Sequence, residues 1–146
     1  MNPRRLLLVL AGLLGVALIA AACGTTSVPA SEEPAAEVET IEGSELSRIT
    51  LSARAAERLG ITTTAVTEAA SDLLAIPYAA VLYDADGKTW AYSSPDENVF
   101  VRTEIVVDRI EGELAYLTEG PPAGTEVVTV GAAELYGTET GVGGGH

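Results

Sequence analysis

The chain has one cysteine, one histidine and one methionine in 146 residues, and only eight basic residues against 21 acidic ones. Each shortage closes a class of chemistry. A lone cysteine, Cys23, allows no internal disulfide and no cysteine-built metal cluster. Small exported domains often rely on such bridges, so this one must be held by its apolar core. The histidine is His146, the final residue, behind a glycine run and without partners for a Ser-His-Asp arrangement. Methionine occurs only as Met1, which leaves no thioether for a copper site once a leader is removed. No metal and no cofactor are expected. The formal net charge of −13 repels nucleic acid and anionic headgroups, so no DNA or RNA partner is expected either.

The motifs that suggest chemistry fall short of it. Asp84-Ala85-Asp86-Gly87 has the look of a calcium loop, but the twelfth position, where such a loop needs glutamate, is Pro95. An Asp-Gly pair between two apolar runs is instead a hairpin signal. Gly141 to Gly145 has no lysine and no following helix, so it is not a phosphate loop. Glu111 and Glu113 flank Gly112 with no aromatic sugar platform beside them, and read as solvated turn residues rather than a glycosidase pair. Trp90, Tyr92 and Tyr83 lie across the expected hairpin, where aromatic pairs usually stabilise a sheet. No catalytic constellation remains, and the chain is not expected to be an enzyme.

The first residues speak to compartment. Arg4 and Arg5 precede an uncharged run from Leu6 to Ala22, which ends in Ala20-Ala21-Ala22 directly before Cys23. A basic start, an apolar middle and a small-residue end mark a secretory signal over residues 1–22. With Gly24, Thr25, Thr26 and Ser27 behind it, Cys23 resembles the cysteine of the bacterial lipobox. That resemblance implies a diacylglyceryl group on the thiol, anchorage in membrane lipid, and a position on the outer face of the bacterial cytoplasmic membrane. The alternative is an uncleaved anchor helix, although the run sits at the short end of the ~17–25 residues a spanning helix needs.

Residues 23–47 then shift to Thr, Ser, Pro, Ala and Glu, a composition expected to form a disordered acidic tether. The folded part is expected over residues 48–137. Ile49-Thr50-Leu51 reads as a strand, Ser52 as an N-cap, Ala53 to Leu59 as a short helix and Gly60 as its stop. Strand signals follow at Ile61 to Val66, Leu73 to Ile76, Ala80 to Tyr83, Lys88 to Tyr92, Val99 to Val107, Leu114 to Leu117 and Val127 to Val130. Ala132 to Tyr136 reads as one helical turn, and residues 138–146 as a disordered glycine-rich tail. The fold class is therefore mainly β: a small barrel- or sandwich-like domain with one short helix near its start.

Ile76-Pro77-Tyr78-Ala79-Ala80-Val81 runs into Asp86-Gly87 and Trp90-Ala91-Tyr92. It is followed by Phe100 to Val107, by Leu117-Thr118-Glu119-Gly120 with Gly124-Thr125-Glu126-Val127-Val128, and by Gly131-Ala132-Ala133-Glu134-Leu135. In order and spacing these pieces resemble the HlyD-like membrane fusion proteins, the periplasmic adaptors of RND- or ABC-type efflux and secretion transporters. Between Val66 and Pro77 the chain lacks room for that family's helical hairpin and lipoyl half-motifs. Only the membrane-proximal portion has a counterpart. The resemblance implies a lipid-anchored minimal adaptor that docks on a membrane transporter, with Phe100, Arg102 and Arg109 as candidate docking residues. In the absence of a partner, Arg102 and Arg109 are expected to pair with Glu104 and Glu111. The alternative function is a small-ligand or envelope-binding lipoprotein built on the same fold.

Overall fold

The structure, a computed structural model, describes residues 33–141. The signal segment, Cys23, the first part of the expected tether and His146 lie outside the described residues.

Strand β8 (Val99–Glu111) is the spine of the fold. Its valines, isoleucines and threonine favour extended backbone, because branched side chains pack well on a pleated surface. A tight turn at Asn98 joins it to β7 (Thr89–Asp96), and a second turn leads into β9 (Leu114–Glu119). The sheet is completed by β3 (Thr62–Ala65), β4 (Thr67–Glu68), β5 (Leu74–Pro77) and β10 (Glu126–Val130). Neighbours run β3-β10-β7-β8-β9-β5-β4, all antiparallel. β3 and β4 are one extended segment interrupted at Val66, whose N–H donates to Thr125 and whose carbonyl accepts from Gly124, both at 2.8 Å. The sheet thus returns to the segment it began in, as a nearly closed barrel. The short β6 (Leu82–Tyr83) pairs with β7 across the Asp84–Lys88 turn.

Side-chain alternation builds two cores on the two faces of this sheet. Val66, Ile76, Ala91, Ile105, Ala115, Leu117 and Val127 fill the barrel interior. Their neighbours one residue along, Tyr92 and Val128, point outward into a second cluster with Ile49, Leu51, Phe100, Ala132 and Leu135. Burying each large aliphatic contributes roughly 1.5–3 kcal/mol. The outer cluster is covered by helix α1 (Ala53–Leu59), helix α2 (Ala132–Glu139) and β2 (Ser47–Leu51). Helix α1 has the expected ends: the Ser52 hydroxyl accepts from Ala55 N–H, and Gly60 takes the left-handed conformation at φ +62°.

Several boundaries differ from those read in the sequence: β7 and β8 run on to Asp96 and Glu111, past the expected ends at Tyr92 and Val107. Residues 36–40 are not tether: β1 (Ala36–Thr40) pairs with β2 from Ala36 opposite Leu51 to Thr40 opposite Ser47. Its alternation of small or apolar residues with glutamates lets Ala36 pack on the outer cluster, which composition alone concealed. Tyr78–Ala80 forms a 3-10 turn, so only Leu82 and Tyr83 of that stretch are strand. Helix α2 continues past Tyr136 to Glu139, so Thr138 and Glu139 belong to the domain and not to a tail.

Candidate functional site

The expected docking residues have unequal fates. Phe100 is 2% exposed, paired across strands with Ile49 and packed in the outer cluster. It cannot meet a partner, because its alternation phase on β8 points it at α1 and α2 rather than at solvent. Arg109 stays at the surface. It pairs with Glu111 and Asp108, each at 2.9 Å, and stacks over Tyr116 at 4.3 Å. Exposed pairs of this kind contribute ~0–1 kcal/mol. Arg102 is no surface cation: its side chain is 12% exposed and its partner is Glu139, not Glu104. Glu104 instead pairs loosely with Lys88 at 3.8 Å.

Arg102 is the centre of the most organised polar group in the domain. Tyr92 and Arg102 are opposite each other on β7 and β8, and Trp90 is two residues along on the same face. The guanidinium lies over the Trp90 ring at 4.4 Å and over Tyr136 at 5.3 Å. Such stacking contributes ~0.5–2 kcal/mol per ring, more where water is excluded. Glu139, with its side chain 4% exposed, closes the group from the end of α2. Its Oε1 accepts from Arg102 Nη2 and from the Ser47 backbone N–H, both at 3.3 Å. Its Oε2 accepts from the Tyr92 hydroxyl and lies 3.0 Å from Arg102 Nε. The Nε–H is not aimed along that line, so this contact is ionic and not a hydrogen bond.

This arrangement ties α2 to β7, β8 and β2. Both carboxylate oxygens of Glu139 are engaged. The Tyr92 hydroxyl is pushed far above the ordinary tyrosine range, first by burial and then by the neighbouring Glu139 carboxylate, so it keeps its proton. Glu139 is the residue that sequence reasoning missed. The available signal was the spacing Ala132, Leu135, Tyr136 and Glu139, an i, i+3, i+4, i+7 stripe that continues beyond the single turn expected.

Beside this group an open cleft of about 390 Å³ is lined by Ser44, Glu45, Leu46, Asp84, Asp86, Lys88, Trp90, Arg102 and Glu104. Asp84 organises its rim. Its Oδ2 accepts from Trp90 Nε1 at 2.8 Å, and its Oδ1 accepts from the Asp86 and Lys88 backbone N–H groups. The Trp90 hydrogen bond leads in holding the Asp84 carboxyl below the usual carboxylate range. Asp84 thus serves a hairpin turn. Among the described residues, no three His, Cys, Asp or Glu side chains converge as metal ligands.

The other notable surface is apolar. Tyr78, Tyr83 and Leu114 are 42%, 54% and 41% exposed. Tyr78 N–H donates to the Glu113 carbonyl at 2.7 Å, which sets it beside Leu114, and the Tyr78 hydroxyl is the main influence raising the Tyr83 pKa. No family model, no curated protein and no solved structure matches the chain. Among the described residues, no helix is long and apolar enough to cross a membrane.

Proposed function

We propose that the protein is a non-catalytic, membrane-held accessory module that docks on a membrane transporter, with lipid on Cys23 as its anchor. The observation that carries the docking reading is the exposed group of Tyr78, Tyr83 and Leu114. Contiguous exposed aromatic and aliphatic side chains on a small domain suit a protein contact. The group lies on the stretch that resembles the membrane-proximal portion of HlyD-like adaptors, and it takes over the docking role expected of Phe100. Arg109 remains available at its rim charge pairs, where loss of one charge would mainly slow association. The closed salt-bridge group at Arg102 supports a scaffold and not a reaction centre.

Photo-crosslinking amino acids at Tyr78, Tyr83, Arg109 and Leu114 in living cells test docking. Adducts dominated by one polytopic transporter are expected. Adducts only to soluble or wall-associated proteins, or none, would overturn it. Anchoring is tested separately by Cys23→Ala, which should stop fatty-acid labelling and the lipoprotein route of leader cleavage. A second reading, a small-ligand-binding lipoprotein, is favoured by the cleft at Trp90 and Lys88. Ligand-dependent quenching of Trp90 fluorescence would move that reading ahead.

A further inference from the structure

We infer that β1 is a docking edge for an extended basic segment of another protein, which adds to the sheet as a further strand. This inference is independent of the transporter reading. Among the described residues, β1 pairs only with β2, and none of them pairs with its outer side. The backbone phase identifies which groups are open. Ser52 N–H donates to the Ala35 carbonyl and Ile41 N–H to the Leu46 carbonyl, each at 3.0 Å. Residues in step with Ala35 and Ile41, namely Glu37 and Glu39, turn their peptide groups toward β2. Val38 and Thr40 therefore turn their N–H and C=O groups outward.

Open edges are normally blunted by charged side chains, lysine above all, or by proline, a bulge or extreme shortness. β1 has no lysine, proline or bulge, its only charges are Glu37 and Glu39, and its pairing with β2 runs five residues without a register shift. What it carries specifies the occupant. Val38, on the same face as buried Ile49, is 44% exposed, leaving apolar surface that a neighbouring strand would cover. Glu37 and Glu39 share the opposite face and are exposed. A second copy is the wrong occupant. Antiparallel pairing centred on Val38 would set Glu37 against Glu39 of the other copy, and like charges directly opposite are destabilising. The complementary strand alternates basic residues, opposite the glutamates, with an apolar residue beside Val38. Backbone hydrogen bonds then supply affinity and the alternating side chains supply selectivity. The net charge of −13 adds long-range attraction for such a segment.

The test uses the full-length chain in detergent and a synthetic extended peptide of alternating lysine and valine, with a glutamate–valine peptide as control. Amide hydrogen exchange is expected to slow at Val38 and Thr40 with the basic peptide only. Binding should weaken with added salt, and roughly three- to tenfold in Glu37→Gln/Glu39→Gln. Val38→Pro should abolish it while leaving the fold intact, because the Val38 N–H makes no bond to β2. Equal binding of both peptides, protection confined to other strands, or unchanged binding by Val38→Pro would overturn the inference. So would concentration-dependent pairing of the chain with itself through β1.

Discussion

At the scale of single residues, Tyr92 and Asp84 make the two clearest tests. The Tyr92 pKa is raised by burial and by Glu139, so the neutral hydroxyl is favoured by folding. Its contribution is complete below the ordinary tyrosine value of about 10 and is lost as pH rises beyond it. Stability measured by denaturant unfolding should hold up to about pH 9 and then decline. Tyr92→Phe should cost about 1–3 kcal/mol at neutral pH, since Glu139 loses a donor, and should flatten the alkaline decline. Asp84 works in the opposite sense. Its pKa is lowered, chiefly by the Trp90 indole N–H, so its contribution exists above the ordinary aspartate range and disappears as pH falls through the lowered value. In Trp90→Phe the Asp84 carboxyl, followed by NMR titration, should move back up. No movement would mean that the Asp86 and Lys88 amides hold the turn without the indole.

At the scale of elements, the entry to α2 is the tightest junction. Gly131 has φ +92°, and a Cβ there would overlap the Ile61 Cδ1 methyl. Gly131→Ala therefore meets two penalties, left-handed backbone at roughly 1–2 kcal/mol and a smaller one, up to about 1 kcal/mol, for swinging the flexible Ile61 δ-methyl aside. Adding Ile61→Val removes the clashing methyl. The double variant should recover the smaller part and keep the backbone part, giving a non-additive pair in thermal unfolding. A fully additive result would show that the chain relaxes elsewhere. Local signals had announced α1 well, because Ser52 and Gly60 act within a turn of themselves. They announced α2 too short, because its second turn is held by Glu139 reaching Arg102, Tyr92 and Ser47.

At the scale of the whole molecule, Glu139 joins the last helix to β7, to β8 and to the start of β2. A chain ended at Gly137 would leave Arg102 mostly buried with no carboxylate. Removing one partner of a buried pair costs ~3–5 kcal/mol, a large share of the ~5–15 kcal/mol that a domain of this kind possesses. Such a chain should unfold at markedly lower denaturant, with the Ser47 amide exchanging faster than in the intact protein. Glu139→Gln, which keeps two acceptor or donor groups, should fall between the two. An unchanged midpoint in the shortened chain would mean that the stacked rings alone retain Arg102.

What the sequence determined by itself were features set within a few residues. These are the mainly β character, the Asp84–Gly87 turn, the caps of α1, and the absence of histidine and of cysteine from residues 24–145. Alternation, capping and turn chemistry act at separations of two to four positions, so they are written in order along the chain. Tertiary structure alone decided the rest. Val99 to Val107 announced a strand, but not that Phe100 faces a core, since a phase is assigned to a side only by what packs there. Ala36 to Thr40 had no strand composition to show, and becomes a strand because β2 supplies its hydrogen bonds. Arg102 had Glu104 two residues away, yet two residues along a strand is the distance to a neighbour on the same face, not to a buried partner. Its carboxylate comes from 37 positions away, where α2 brings Glu139 down onto the Trp90 side of the sheet.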